Sequence, residues 1–187
     1  MRFGPPLLLL VVASSSAQAD NGLSLELGYL RNRVAVTDHT ALGGEAVRFT
    51  IKVSNGAFFH WGAEAEEGRL SGVTTLAGGA VARSTGQPRP SPIEGNTLGL
   101  KVLAGAHTTF GRVMFSSDLA AGVRDTWVSS DEGDDVAGRK KAPLVELRGR
   151  ADVWLSSTTT IGAVATADML ERRDVSVGLV FALHFTR

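Results

Sequence analysis

From Leu23 onward the chain alternates with a period of two. Leu23, Leu25, Leu27 and Tyr29 interleave with Ser24, Glu26 and Gly28, which is the pattern of a strand with one apolar and one polar face. The pattern then recurs. Val47, Phe49, Ile51 and Val53 stand against Arg48, Thr50 and Lys52, and Phe59, Trp61, Ala63 and Ala65 against His60, Gly62 and Glu64. Leu98, Leu100, Val102 and Ala104 stand against Thr97, Gly99 and Lys101, and a longer run sets Val113, Phe115, Leu119 and Val123 against Arg112, Asp118 and Arg124. Val145, Leu147, Val153 and Leu155 then oppose Glu146, Arg148, Arg150 and Asp152. The seventh run has small residues, Ile161, Ala163, Ala165 and Ala167, facing away from Thr160, Gly162, Val164 and Thr166. The last has the clearest stripe, Val175, Val177, Leu179, Phe181, Leu183 and Phe185, opposite Asp174, Ser176, Gly178 and His184. Eight strands are predicted, each near the 9–11 residues that a tilted membrane strand needs. The charges keep step with two and not 3.6, so no helix is predicted outside the N-terminal segment.

The connections alternate in length. Asn32–Gly44, Glu67–Asn96 and Ser129–Ala142 read as long, Asp168–Arg173 as moderate, and Ser54–Gly56, Thr108–Thr109 and Ser156–Thr159 as tight. Such alternation suits an up-and-down barrel with turns on one side and loops on the other. Matching faces at the first tight turn predicts Phe49 opposite Trp61 and Ile51 opposite Phe59, with Gly56 at the left-handed position of a three-residue loop. A two-residue turn at Thr108–Thr109 would make Lys101 and Asp118 near-diagonal neighbours.

Composition narrows the function classes. The 187 residues include no cysteine, which removes disulfides, thiolate metal sites and cysteine nucleophiles. Nineteen Lys+Arg balance nineteen Asp+Glu, leaving no basic field for a nucleic acid. Arg2, the apolar run Leu7–Ala13 and the small-x-small sequence Ala17-Gln18-Ala19 read as a cleavable signal peptide over residues 1–19, followed by one domain over 20–187. An exported chain with no stretch of about 20 apolar residues is either soluble or spans a membrane as a β-barrel.

Orientation decides between those two. The polar faces carry Glu26, Arg48, Lys52, Glu64, Glu66, Lys101, Arg112, Asp118, Arg124, Glu146, Arg148, Arg150, Asp152 and Asp174. Each Arg or Lys on a lipid face at mid-membrane costs about 2–4 kcal/mol, so a membrane barrel must turn these groups inward. An eight-stranded lumen is just wide enough for side chains to fill, and the expected result is a closed, charge-paired interior. A soluble lipocalin-like barrel would have the same period and put its apolar face around a small ligand.

At the last strand, Ser176, Gly178, Phe181, Leu183 and Phe185 resemble the C-terminal assembly signal of Gram-negative outer-membrane barrels. Here Thr186 and Arg187 follow the final aromatic residue. In architecture, residues 20–187 resemble the small eight-stranded OmpA/OmpX-type barrels. The resemblance implies an all-β, antiparallel transmembrane barrel in the outer membrane, recognised by the barrel-assembly machinery and in contact with lipid and lipopolysaccharide. The family includes adhesive, envelope-stabilising and lipid-modifying members, so the resemblance transfers no single activity.

Candidate chemistry is sparse. His39, His60, His107 and His184 lack metal-ligand spacing, and His60 and His184 fall on interior faces as structural imidazoles. Asp38-His39 lies in the first long loop, where neighbouring side chains point opposite ways. His107-Thr108-Thr109 and His184-Phe185-Thr186 offer threonine where a lipid deacylase of this size would carry serine. Asp131, Glu132, Asp134 and Asp135 read as a solvated loop and not a Ca²⁺ loop. Arg31, Arg33 and Arg69, and above all Arg139, Lys140, Lys141, Arg172 and Arg173, fall near outer strand ends where lipopolysaccharide phosphates would lie. The expectation is therefore a non-enzymatic barrel with no cofactor or bound metal, acting in envelope structure or surface interaction. A soluble ligand-binding barrel and a lipid-modifying enzyme are the alternatives.

Overall fold

A computed structural model of the chain describes residues 22–35, 41–55, 58–74, 91–171 except 131–137, and 174–186. The signal segment, Asp38-His39, the acidic cluster at 131–135, and Arg172 and Arg173 lie outside them. Eight strands form: β1 (Gly22–Ala35), β2 (Ala41–Asn55), β3 (Phe59–Thr74), β4 (Ser91–Phe110), β5 (Val113–Ser130), β6 (Gly138–Trp154), β7 (Thr159–Asp168) and β8 (Val175–Thr186). Each pairs antiparallel with its sequence neighbour, and β8 returns to β1, so the sheet closes as an up-and-down barrel without free edges.

The turns after β2, β4 and β6 lie at one end together with both strand termini; we call this the turn end and the opposite one the loop end. Strands β1 to β6 are longer than their alternating cores suggested. They run past the apolar belt, taking up most of the segments read as long loops and leaving residues 36–40, 75–90 and 131–137 as the connections. Polar exterior residues such as Arg31, Glu45, Glu67 and Arg69 had hidden these extensions, because the alternation there no longer contrasts apolar with polar.

The orientation is the one a lipid solvent demands. Leu179 is 60% exposed and Phe181 42%, whereas Arg148 is 3% and Arg150 6% exposed. Leu27, Phe49, Trp61, Val102, Phe115, Leu147 and Val177 continue this apolar girdle around the wall. A lipocalin-like arrangement would require the reverse. Exposed apolar residues in this number are incompatible with a water-facing wall, and the closed ladder satisfies the strand backbone as a bilayer requires.

Two turns differ from the sequence reading. In the first hairpin Phe49 opposes Ala65, Ile51 opposes Ala63 and Val53 opposes Trp61, so Ser54 and Asn55 belong to β2 and not to the connection; Gly56, expected at a left-handed position, lies outside the described residues. The shift is an even number of residues, so both faces keep their character. What it changes is the charge pairing: Arg48 now stands opposite Glu66 and Thr50 opposite Glu64, where the expected register gave Arg48 a glycine. In the β4–β5 hairpin, Thr108 and Thr109 remain in the ladder and the turn is Gly111-Arg112, with Gly111 at a φ of 61° that favours glycine. Arg112 therefore sits exposed in a turn and not in the lumen. Lys101 pairs with Gly122 in the ladder and Asp118 with Gly105, so these two are not the neighbours expected.

Candidate functional site

The lumen is built in layers, because inward residues on adjacent strands share a height once the register is set. Nearest the turn end lie His60, His107, Trp154, Thr160 and His184. His184 packs against Trp154 in a tilted arrangement with ring centroids 4.6 Å apart and bonds Thr160 across the β7–β8 ladder at 3.0 Å. His107, read from sequence as a turn residue, is half-buried within β4 and faces His60 across the β3–β4 seam.

The next layer holds Glu26, Lys52, Asp118, Arg150 and Asp152. Lys52 reaches Asp118 at 3.0 Å and Glu26 at 3.4 Å. Arg150 bridges Glu26 at 2.6 Å and Asp152 at 2.7 Å. Above it is the densest cluster. The Lys101 ammonium lies 3.1 Å from Glu64, 2.9 Å from Glu66 and 3.0 Å from Glu146. Arg48 binds Glu64 at 3.1 Å and Glu66 at 2.7 Å, and Arg148 binds Glu64 at 2.7 Å and Glu146 at 3.2 Å. Arg48 with Glu66 and Glu64 with Lys101 stand opposite one another on adjacent strands, whereas Arg148 with Glu64 and Lys101 with Glu146 reach across the lumen and meet only because the sheet closes. Glycines across the seams, including Gly62 opposite Lys52 and Gly122 opposite Lys101, leave room for the long side chains. A void of about 10 Å³ between Glu26, Arg48 and Arg150 has space for roughly one water.

Closer to the loop end, Arg124 pairs with Asp174 and with Glu146, and Asp174 also accepts a hydrogen bond from the Ala35 amide. Asp168 is buried there as well and was not among the expected interior charges. Among the described residues, the lumen thus carries Glu26, Glu64, Glu66, Asp118, Glu146, Asp152, Asp168 and Asp174 against Arg48, Lys52, Lys101, Arg124, Arg148 and Arg150.

An apolar layer caps the lumen at the loop end. Val34, Leu42, Leu70, Ile93 and Val128 pack into one buried cluster from five consecutive strands, with Leu144 buried nearby. Sequence reading missed this plug, since Val34, Leu42, Leu70 and Ile93 fell in segments read as loops. Their signal was parity: Leu42 and Ala46 share a face with Arg48, and Leu70 shares one with Glu66.

On the exterior, β5 and β6 bring together a second polar group just beyond the apolar belt. Arg139 forms a forked ion pair with Asp125, reaching it at 2.5 Å, and its guanidinium lies 4.9 Å from the centre of the Trp127 ring. The Arg139 hydrogen bonds hold the Asp125 carboxyl below the usual carboxylate range. Lys141 approaches Asp125 at 3.7 Å. Lys140, between them, is turned by strand parity to the other face, where it lines a cavity of about 180 Å³ with Arg124, Asp168 and Asp174. Arg31 lies on the outer wall at the same end, 4.0 Å from Glu45. On β8, Ser176 and Gly178 face inward while Phe181, Leu183 and Phe185 face outward.

No protein-family model and no curated protein matches the chain. Its fold is similar to that of Ail, the attachment invasion locus protein of Yersinia pestis, solved in complex with the heparin analogue sucrose octasulfate. The TM-score is 0.55 at 16% identity, covering 89% of this chain and 99% of that one. It is also similar to the N-terminal β-barrel domain of OprF from Pseudomonas aeruginosa, with a TM-score of 0.50 at 15% identity, covering 90% of this chain and 100% of that one. At such identities the likeness concerns the fold, which is that of the small eight-stranded outer-membrane barrels of Gram-negative bacteria.

Proposed function

We propose that this chain is a non-enzymatic outer-membrane barrel that works through its outer rim, with a wall held rigid by a closed lumen. The observation that carries the reading is the packing of the lumen: ion pairs at 2.6–3.4 Å fill its middle layers, and an apolar plug covers their loop end. A lumen filled in this way leaves no room for a diffusing solute, and its carboxylates are occupied by cations instead of standing beside a nucleophile. What remains for interaction is the loop-end surface.

Residues 1–19 serve in this proposal as the export signal, and Ser176, Gly178, Phe181, Leu183 and Phe185 as the signal read by the barrel-assembly machinery. Arg139 and Lys141, beside Trp127 at the border of the apolar belt, meet the phosphates of lipopolysaccharide. A guanidinium and an ammonium on one ridge match a phosphate, and the indole suits the headgroup level. In this proposal Arg172 and Arg173 join Arg139 and Lys141 as phosphate contacts, whereas Lys140 faces the cavity shared with Arg124, Asp168 and Asp174. The sulfated sugar bound to Ail is a polyanion of related chemistry, which supports an anionic envelope glycan or lipid as the class of partner.

Fractionation tests the location: recovery with washed outer membranes and heat-dependent gel mobility are expected, and release with soluble periplasm refutes the proposal. Lipid A profiles with and without the gene test the non-enzymatic reading; a mass change that depends on the protein would overturn it.

A further inference from the structure

The turn-end layer contains a pair of imidazoles that the ion-pair network does not explain. His60 Nδ1 and His107 Nδ1 face one another at 3.2 Å, with ring centroids 5.4 Å apart. The other nitrogen of His60, Nε2, lies 2.5 Å from Asp118 Oδ1, and the same carboxylate is anchored by Lys52 at 3.0 Å. A carboxylate can only accept, so Nε2 carries the hydrogen and Nδ1 of His60 presents a lone pair toward His107. His107 Nδ1 faces that lone pair as the N–H donor of an ordinary hydrogen bond in one tautomer, and in the other as a second lone pair converging on the same point, where a cation can replace the proton.

We propose that His60 and His107 form a two-imidazole site for a divalent transition-metal ion of the zinc class, at the turn-end mouth of the lumen. Three features of the geometry converge on it. An ion held tetrahedrally at about 2.0–2.1 Å from each of two nitrogens keeps them about 3.3 Å apart, close to the observed separation. The Asp118–His60 contact has the form of the outer-shell carboxylate that orients a metal-bound histidine and raises its basicity. His107 is half-buried near the β4–β5 turn, so the pair is reached from solvent, unlike the fully enclosed charges above it.

Among the described residues no group of three or more His, Asp or Glu is placed to surround one ion, so the protein supplies two ligands and water completes the shell. The ion takes the place of the proton shared by the two rings, which passes to solvent, and binding strengthens as pH rises. The acidic groups facing the pair are Asp118 and, farther along the lumen, Glu26; the opposing cations are Lys52 and Arg150. Imidazole donors select zinc, copper or nickel over calcium and magnesium.

The experiment titrates the full mature chain, folded in detergent micelles, with Zn²⁺ by calorimetry and with Co²⁺ by visible absorption. Saturable one-to-one Zn²⁺ binding below millimolar free ion and an intense tetrahedral Co²⁺ band are expected. His107→Gln should weaken Zn²⁺ by about tenfold or more, whereas His184→Gln, whose imidazole bonds Thr160, should leave it unchanged. Heat-dependent gel mobility verifies that each variant is folded, and the Co²⁺ band of the unaltered chain needs no variant at all. Equal affinity in the wild type and H107Q, a loss in H184Q as large as in H107Q, a weak octahedral Co²⁺ spectrum, or no saturable binding overturns the proposal and leaves the pair sharing only a proton.

Discussion

Replacing Lys101 with Met removes one cation from the centre of three carboxylates while keeping most of the side-chain volume. The ammonium is fully buried and within 3.1 Å of Glu64, Glu66 and Glu146. At an effective dielectric of about 20, each attraction amounts to about 5 kcal/mol, much of it offset by the several kcal/mol that each ion loses on leaving water. The net worth of the pairing is therefore small, but the cost of breaking it is not. Arg48, Arg148 and Arg124 remain to serve the three carboxylates and Asp174, which shares Arg124, so one negative charge is left uncompensated. Removing one partner from a buried pair costs about 3–5 kcal/mol, a large share of the roughly 5–15 kcal/mol that holds a domain together. With a denaturant slope of about 2 kcal/mol per molar urea, Lys101→Met should lower the unfolding midpoint by about 2 M, followed by tryptophan fluorescence in micelles or vesicles. Adding Glu66→Gln removes the surplus charge and should recover part of the loss, a non-additive result expected of contacting residues. A shift under about 0.3 M for Lys101→Met, or a double variant less stable than the single one, would show that the lumen charges do not act as a paired network.

The apolar cap makes a separate prediction: the wild type shows no steady conductance in planar bilayers, and Leu70→Ser with Ile93→Ser admits water to the charge layers and produces measurable current steps. Unaltered closure in the double variant would mean that the ion-pair layers seal the lumen alone. Gly178→Val should block closure of the β8–β1 seam, because a Cβ there runs into the Tyr29 carbonyl and the Leu30 side chain; the readout is the fraction of chain with folded gel mobility after refolding. The Asp125 carboxyl, held low by Arg139, contributes stability that is present above its unfolded value of about 4 and is lost as pH falls through the lower folded one. A carboxyl titration by nuclear magnetic resonance should therefore place Asp125 below that of the Arg139→Gln variant, and equal values would refute the pairing.

How much could be read in advance follows from what kind of signal each feature leaves. The strand cores of β2, β6 and β8 were visible because charged or polar residues alternate with large apolar ones. The extensions of β1, β3 and β4 were not, since the exterior turns polar beyond the lipid belt and contrast disappears. His107 was misplaced for a related reason: the β4–β5 turn was set at the threonines, when Gly111 supplies the positive φ three residues later. Asp168 and the apolar cap went unnoticed because parity had not been carried through the presumed loops.

Chemical identity and parity along the chain were sufficient to determine that this is an eight-stranded barrel and that one face of every strand must avoid lipid. Both follow from local rules, the two-residue repeat and the high cost of an ion in hydrocarbon. Which cation meets which carboxylate, and which imidazole meets which, was decided by tertiary structure alone. Even-numbered register shifts conserve the faces and are therefore silent in the hydrophobic pattern. The contacts of Lys52 with Asp118 and of Arg148 with Glu64 arise only when the curved sheet closes and its inner surface converges, while that of His60 with His107 is set by the β3–β4 register.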